Sequence, residues 1–215
     1  MTAQNTTMTE LLDRRLRDGA KTMGVTLNDT QVMQLLNYIQ LFNKWNKTYN
    51  LSAIRDIESQ VDRHLLDSLS VVPYIDADTI IDVGTGGGLP GIPLAIVFPQ
   101  KKFTLLDSAG KKMRFLFQVK TELKLDNVQI ENRRVETFEP EHPFDAVISR
   151  AFASLKDMTD GCRHLLAEGG VFYAMKGLYP TDELSALEKN YKVSDSYPLH
   201  IPREDGERHL LVLTP

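Results

Sequence analysis

The segment that decides the fold is Asp82–Gly91, with the sequence DVGTGGGLPG. It ends a short apolar strand predicted at 79–84 and opens a helix predicted at 90–98. Glycine accepts positive φ angles, and because it has no Cβ it lets a ligand come close to the backbone. Pro90 suits the first turn of a helix. The segment therefore predicts a glycine-rich turn at the carboxyl edge of a sheet, where ligands bind in doubly wound folds.

From this turn to the end of the chain, short apolar runs alternate with helical stretches. We predict strands at 79–84, 102–107, 128–132, 144–149, 170–176, near 191–200 and at 208–213, and helices at 90–98, 110–124, 154–167 and 180–190. This alternation predicts an α/β fold with a doubly wound, mostly parallel seven-stranded sheet covered on both faces. The last two strands have no helix between them, so we expect an antiparallel hairpin at one edge.

Residues 1–75 carry a helical pattern and form a predicted N-terminal helical extension, followed by the sheet domain at 76–215. The first helix is predicted at about 8–23 and ends at Gly24. The second begins after Asn28, because Gln31 three residues later completes a capping box. The third begins near Asp56 and ends at Pro73, which cannot continue a helix.

The composition excludes several classes of protein. With 42% apolar and 25% charged residues, the chain is ordinary for a globular protein. It has no apolar run as long as a membrane helix and no apolar N-terminal signal segment, and its single cysteine, Cys162, fits a reducing cytosol. No histidine or cysteine cluster has metal-ligand spacing, so we predict no metal site. The net charge of −4 argues against a nucleic-acid coat protein, although a local basic face could still bind RNA.

The glycine turn alone leaves two ligands open. Gly86, Gly88 and Gly91 satisfy the dinucleotide fingerprint G-x-G-x-x-G. Asp107 follows about 20 residues later, where an acid contacts the ribose of a dinucleotide. S-adenosylmethionine (SAM) carries an adenosine ribose as well. These residues therefore fit an NAD-dependent oxidoreductase and a SAM-dependent enzyme equally.

Asp82 favours SAM. It places a carboxylate at the end of the first strand, two residues before the first glycine. A carboxylate there would repel a pyrophosphate but attract the cationic sulfonium and amino groups of SAM. A Walker A loop is excluded because no Gly-Lys-Ser/Thr follows, and no G-x-S-x-G elbow is present. Cys162 lies in a predicted helix and is expected to be buried and inert.

Several motifs then resemble one known family. They are Trp45-Asn46-Lys47-x-Tyr49-Asn50-Leu51, Arg63-His64-x-x-Asp67-Ser68, the turn Asp82–Gly91, Leu105-Leu106-Asp107-Ser108, Ser149-Arg150-Ala151-Phe152-Ala153 and Gly206-Glu207-Arg208-His209. From about residue 30 onward the chain resembles the bacterial 16S rRNA guanine-N7 methyltransferases (RsmG, also called glucose-inhibited division protein B). The first 25 residues resemble that family least.

This resemblance implies a function and a set of contacts. The family transfers the methyl group of SAM to N7 of guanine 527 in 16S rRNA, which makes 76–215 the SAM-dependent methyltransferase domain. The implied cofactor-binding residues, together with the acids and glycines of the turn, are Asp82, Gly84, Gly86, Gly88, Leu89, Asp107, Val135, Glu136 and Arg150. Val135 and Glu136 would contact the adenine and Asp107 the ribose. From its position alone, Arg150 could instead be an ion-pair residue.

Methylation at guanine N7 needs no general base, because N7 carries an in-plane lone pair and no proton. The enzyme must mainly position the base and exclude water. Candidate residues for this task are Arg63, His64, Arg150, Phe152 and Lys176. The alternatives are a surface helix face for Arg63 and His64 and core packing for Phe152, while Trp45 is expected to pack helices together.

The expected partner is 16S rRNA or the small ribosomal subunit, bound through arginine and lysine contacts that weaken with salt. The expected location is the cytoplasm. No sequence feature indicates the oligomeric state, and we predict a monomer. Two competing hypotheses remain at this stage: an NAD-dependent oxidoreductase that uses the fingerprint at Gly86–Gly91, and an RNA-binding protein without catalytic activity.

Overall fold

The structure, a computed structural model, describes residues 3–187 and 190–215. At its centre is a seven-stranded sheet made of β1 (Thr79–Val83), β2 (Lys102–Leu106), β3 (Val128–Glu131), β4 (Phe144–Ser149), β5 (Leu166–Lys176), β6 (Lys192–Pro198) and β7 (His209–Thr214). The strands lie in the order β3-β2-β1-β4-β5-β7-β6. β1 to β5 pair in parallel, whereas β7 is antiparallel to both β5 and β6. The predicted doubly wound, mostly parallel sheet with an antiparallel hairpin at one edge is confirmed.

Helical segments precede the sheet. They are α1 (Ala3–Thr22), α2 (Asp29–Tyr49), α3 (Ile57–Gln60), a π-helix (Val61–Leu66), α4 (Asp67–Leu69) and a 3₁₀ turn (Val72–Tyr74). The capping box at the start of α2 is confirmed, because the Gln31 amide donates to the Asn28 side chain at 2.9 Å and the Asn28 amide donates to Gln31 at 3.0 Å. The chain turns at Gly24, whose φ of 75° suits glycine.

The third predicted helix differs from the structure in its geometry. The sequence pattern predicts one regular helix from Asp56 to Pro73, but the middle of this segment is a π-helix. In that wider turn, the amide of Asp67 donates to the carbonyl of Asp62, five residues earlier. The prediction of a regular helix is wrong here because an apolar period does not distinguish an α-turn from a π-turn.

Four helices connect the strands: α5 (Gly91–Val97), α6 (Gly110–Leu123), α7 (Leu155–Cys162) and α8 (Thr181–Ala186). The helix predicted at 154–167 is shorter than expected. It ends at Cys162, a 3₁₀ turn follows at Arg163–Leu165, and β5 begins at Leu166, four residues before its predicted start. The helix predicted at 180–190 ends at Ala186, and residues 188 and 189 of that prediction lie outside the described residues.

The N-terminal helices share one hydrophobic core with the sheet. Leu35 and Phe42 of α2 belong to the same buried cluster as Leu105 of β2 and Phe115 of α6. A second buried cluster covers the opposite face and includes Val83, Leu106, Val147, Leu155, Met158 and Phe172. The change of architecture near residue 75 therefore does not divide the core. Within residues 3–187 and 190–215, no helix is both long and apolar enough to cross a bilayer.

Candidate active site

Three adjoining clefts follow the carboxyl ends of the parallel strands. The outer cleft, of about 230 Å³, is lined by Gly84, Asp107, Val135, Glu136, Ala151 and Phe152 among others. The glycine cleft, of about 220 Å³, is lined by Phe42, Ser52, His64, Gly84, Gly86, Leu89, Arg150 and Ala151 among others. The basic cleft, of about 360 Å³, is lined by Arg63, His64, Asp67, Arg150, Lys176, Arg208 and His209 among others. Shared lining residues make the three clefts one continuous trough.

The glycine turn requires glycine for two separate reasons. Gly84 and Gly88 have φ angles of 70° and 93°, which side chains with a Cβ rarely adopt. A Cβ on Gly84 would lie 2.8 Å from the Cβ of Ala151, and one on Gly88 would lie 2.5 Å from a side-chain carbon of Ile92. The turn therefore brings backbone into close contact with β4 and α5 and leaves its amide edge facing the trough.

Asp82 lies inside this turn. Its Oδ2 accepts hydrogen bonds from the Thr85 hydroxyl at 2.7 Å and the Gly91 amide at 2.8 Å. Its Oδ1 is buried and has no hydrogen-bond partner among the described residues. Burial raises the pKa of Asp82 to about 6. The carboxylate thus holds the two ends of the turn together, and its negative charge near pH 7 lies directly below the trough.

Asp107 connects β2 to the glycine turn. Its Oδ2 accepts the Gly86 amide at 2.9 Å, and its Oδ1 accepts the amide of Ala109 at 2.9 Å. Lys112 of α6 lies 3.5 Å from the same carboxylate. The side chain lines the outer cleft and is only 10% exposed, so Asp107 presents a fixed carboxylate edge to whatever binds there.

The far wall of the outer cleft consists of Val135, Glu136 and Phe152. Val135 and Glu136 lie on a 3₁₀ turn, with Val135 half-buried and Glu136 exposed. Phe152 is half-buried and packs against the second hydrophobic cluster while also lining the cleft. It therefore combines the packing role and the cleft role, but it does not line the basic cleft, where the sequence stage placed it as a candidate for holding the base.

Arg150 separates the glycine cleft from the basic cleft and lines both. Its guanidinium pairs with Asp67, with 2.5 Å between Nη1 and Oδ2. The other oxygen of Asp67 accepts Nε of Arg208 at 3.3 Å. Both readings of Arg150 from the sequence hold, since it is an ion-pair residue and it also lies at the mouth of the cleft.

His64 is buried, so a surface helix face is the wrong description of this residue. Its Nε2 lies 2.9 Å from the Ser52 hydroxyl, its Nδ1 lies 3.1 Å from the Arg63 carbonyl, and its ring centre lies 5.1 Å from that of Phe42. Burial, together with the charge of Arg150, lowers the pKa of His64 to about 4. The imidazole is therefore neutral at pH 7.

Two other candidates already have ionic partners. Arg63 pairs with Glu204 at 2.8 Å at the outer rim of the basic cleft, and its side chain is 52% exposed. Lys176 pairs with Glu183 at 2.8 Å and donates to the carbonyl of Ala153 at 3.2 Å. Lys176 therefore holds the loop after β4 in place, which supports Arg150 indirectly.

Trp45 packs helices, as expected. Its indole N–H donates to Gln118 of α6 at 3.0 Å, and its ring lies against Tyr49 and Phe115. Cys162 is buried, and burial raises the pKa of its thiol to about 12, which fits an inert side chain.

The sequence analysis gave no role to four residues of the trough. They are Phe42, Ser52, Asp67 and Arg208. Asp67 and Arg208 lie in motifs that carried the family resemblance, so that signal was available. The ion pairs that Asp67 makes depend on the π-helix, which the sequence pattern did not predict.

Comparison with known proteins identifies the family. Residues 31–211 match the family described as rRNA small subunit methyltransferase G, GidB. The chain is 60% identical over 210 residues to the ribosomal RNA small subunit methyltransferase G of Cellvibrio japonicus, covering 95% of this chain and 96% of the relative. It is also 60% identical over 200 residues to the protein of the same name from Saccharophagus degradans, covering 93% and 90%.

The chain belongs to the rRNA small subunit methyltransferase G family. It is accordingly a SAM-dependent rRNA methyltransferase, which overturns the hypothesis of an NAD-dependent oxidoreductase. The hypothesis of a protein without catalytic activity is not supported either.

Solved structures agree on the fold alone, since their sequences are distant. A SAM-dependent methyltransferase from Geobacter sulfurreducens in complex with S-adenosyl-L-homocysteine has a TM-score of 0.56 and 9% identity, covering 82% of this chain and 98% of that one. Coclaurine N-methyltransferase has a TM-score of 0.54 and 13% identity, covering 89% and 74%.

The trough also has the chemistry that SAM requires of its protein. Asp82 and Asp107 place two carboxylates below it, and the unpartnered Oδ1 of Asp82 leaves part of that negative charge uncompensated. The space above Gly84 is one that a Cβ would fill. When bound, SAM supplies an electrophilic methyl group on a positively charged sulfur.

Proposed function

We propose that this family member methylates N7 of a guanine in 16S rRNA, namely guanine 527 as the resemblance implies. The observation that supports this most directly is the continuity of the trough. His64 and Arg150 line both the glycine cleft and the basic cleft, so a methyl donor in the first would face a base in the second. The coarser statement, SAM-dependent methylation of rRNA, follows from the family itself.

In this proposal the outer cleft holds the adenosine part of SAM. Val135 and Glu136 contact the adenine, and Asp107 accepts hydrogen bonds from the ribose hydroxyls. The backbone of Gly84, Gly86 and Gly88 and the side chain of Leu89 enclose the amino-acid part. The buried charge of Asp82 favours the cationic end of SAM through its field, because its accessible oxygen is already used by the turn.

The residues of the trough do not need to remove a proton. N7 of guanine attacks with a lone pair that lies in the plane of the base, and His64 is neutral near pH 7 and already bonded to Ser52. The protein instead holds the base in line with the methyl group and keeps water out, which alone can contribute several orders of magnitude in rate.

Arg150 is the residue best placed to orient the base. Guanine O6 lies next to N7 on the same edge of the ring, and arginine is the side chain that most often recognises that edge. Because the positive charge moves from sulfur to the base during transfer, the carboxylate of Asp67 offsets the charge of Arg150 and Arg208 beside the product. Arg63, at the rim, would contact a phosphate, and Lys176 would position the loop that carries Arg150.

We place this reaction in the cytoplasm, with a single copy of the chain acting on 16S rRNA or on the small ribosomal subunit. The basic cleft is lined by Arg63, Arg150, Lys176 and Arg208, with Asp67 as the only Asp or Glu in its lining. Contacts of this kind with phosphates weaken as salt is added.

The test is transfer of a labelled methyl group. The protein would be incubated with methyl-labelled SAM and either protein-free 16S rRNA or small subunits from cells that lack this enzyme, and the product nucleotide would be mapped by mass spectrometry. The proposal predicts label in one 7-methylguanosine at position 527. Label at another base or another atom would remove the specific assignment and leave the family activity.

A further inference from the structure

The loop after β5 carries two exposed apolar side chains at the edge of the basic cleft. Leu178 is 75% exposed and Tyr179 is 42% exposed. Gly177, next to Leu178, lines the basic cleft together with Lys176 and His209. We call Leu178 and Tyr179 the 178–179 rim. Its place at the carboxyl end of β5 puts it on the same edge of the sheet as the SAM trough.

The rim is held in a defined position. The ring of Tyr179 lies against the ring of His209, with 5.4 Å between centroids and an interplanar angle of 76°. Nδ1 of His209 lies 3.0 Å from the Gly177 carbonyl. One side of Tyr179 is therefore fixed against β7, while much of its surface and most of Leu178 remain open to solvent next to cationic side chains.

We propose that the 178–179 rim stacks against the RNA nucleotide adjacent to the methylated guanine and keeps that guanine turned out of its stack. This rests on the proposed function. A base that reacts at N7 must be accessible at that edge, and enzymes that extrude a base need side chains that replace the lost stacking. Leucine and tyrosine serve as wedge and stacking platform in such sites.

The surroundings favour single-stranded RNA as the occupant. The rim is continuous with a cleft that contains Arg150, Arg208 and Lys176, and cationic grooves beside aromatic side chains are typical of single-strand binding. A purely apolar partner would find two exposed side chains beside a charged cleft, which would leave those charges desolvated and unpaired.

The experiment compares the wild type with Leu178→Ala, Tyr179→Ala and Tyr179→Phe. Each variant would be assayed for methyl transfer to the rRNA substrate and, by calorimetry, for binding of S-adenosyl-L-homocysteine. Met33→Ala is the matched control, since Met33 is 58% exposed and its neighbour Gln34 bonds to Leu123 at the end of α6 that lies farthest from the trough.

We expect the KM for RNA to rise about 10-fold in Leu178→Ala and Tyr179→Ala, the loss typical of one base–side-chain stack. Tyr179→Phe should retain most of the wild-type KM because it keeps the ring. Binding of S-adenosyl-L-homocysteine should be unchanged in all variants, and Met33→Ala should behave as wild type.

Wild-type kinetics in both alanine variants would overturn this inference and leave the proposed function intact. A weakened affinity for S-adenosyl-L-homocysteine that matches the loss of activity would also overturn it, because the rim would then act on the cofactor side. If the wild type methylated no rRNA, the proposed function would fail and the rim's role would fail with it.

Discussion

At the scale of single residues, the buried carboxylate of Asp82 carries a measurable consequence for stability. Burial raises its pKa from 3.8 to about 6, so the folded state binds this proton more tightly than the unfolded state. The corresponding stabilisation is complete below pH 3.8 and is lost as pH rises through 6, and its full size is roughly 3 kcal/mol.

Asp82→Asn should remove this dependence on pH. The difference in unfolding free energy between variant and wild type, measured by urea denaturation, should shift in favour of the variant by roughly 2–3 kcal/mol between pH 4 and pH 7. The amide oxygen of the asparagine can still accept from Thr85 and Gly91, so the turn is retained. A difference that stays constant over this range would show that the carboxylate is not raised in pKa.

The glycine turn allows a second prediction at this scale. Gly84→Ala combines a positive φ with a Cβ 2.8 Å from Ala151, whereas Gly24→Ala has a similar φ of 75° and no atom within 4 Å. Gly24→Ala should cost about 1 kcal/mol of stability and leave binding of S-adenosyl-L-homocysteine unchanged. Gly84→Ala should weaken that binding at least about 10-fold by calorimetry. Equal affinities in the two variants would mean that the close approach at Gly84 does not shape the cleft.

At the scale of secondary-structure elements, α2 supports the glycine turn from below. Tyr38 is fully buried and its hydroxyl donates to the Gly87 carbonyl at 2.8 Å, and a Cβ on Gly87 would meet the ring of Phe42 at 2.4 Å. The N-terminal helices therefore position the turn that encloses the cofactor, although they contribute no strand to the sheet.

Tyr38→Phe should test that support. Removing the hydroxyl leaves a buried carbonyl without a partner, so we expect a loss of about 1–2 kcal/mol in unfolding free energy and a weaker affinity for S-adenosyl-L-homocysteine. Asn28→Ala is the control, because it removes the capping box of the same helix at a similar cost of about 1 kcal/mol but far from the turn. If both variants bound S-adenosyl-L-homocysteine as the wild type does, α2 would have no influence on the turn.

The elements also show what could be predicted from the sequence. The order and type of the strands followed from short apolar runs and glycine punctuation, and the cap of α2 followed from two residues three positions apart. The π-helix did not, because its signal is a hydrogen-bond register and not a residue type. For the same reason the sequence located Arg150 at the trough but not its partner Asp67, whose direction depends on that register.

The site residues followed the same division. Gly84, Gly86 and Gly88 were predicted from local backbone chemistry, and the structure places all three in the turn with positive φ. The burial of His64 was missed, because it comes from Phe42 and Ser52, which reach it from another helix and a loop. Contacts between distant segments of this kind are not encoded in any local pattern.

At the scale of the whole molecule, one buried carboxylate joins distant parts of the chain. Asp62 of the π-helix is 2% exposed and pairs with Arg15 of α1 and with Arg203 near the C-terminus. Arg203 also donates to the Arg15 carbonyl at 3.2 Å. The N-terminal helix, the π-helix and the loop before β7 therefore meet at a single charge.

Removing that charge should be costly. Asp62→Ala leaves two arginines without their shared partner, and we expect a loss of about 3–5 kcal/mol in unfolding free energy by urea denaturation. Asp160→Ala, which removes the surface partner of Lys156 at 2.7 Å, should cost less than about 1 kcal/mol. A small effect of Asp62→Ala would show that the three segments are held together by apolar packing alone.

The π-helix at Val61–Leu66 gives the fold a dependence on chain length in this segment. Each residue of a regular helix turns the chain by about 100°. Shortening the segment by one residue could restore regular winding, but it would swing everything that follows by about that angle. The carboxylate of Asp67 would then leave Arg150 and Arg208 while Asp62 kept its partners. A single-codon deletion here could thus preserve the fold and silence the enzyme, whereas many substitutions at the same positions would be tolerated.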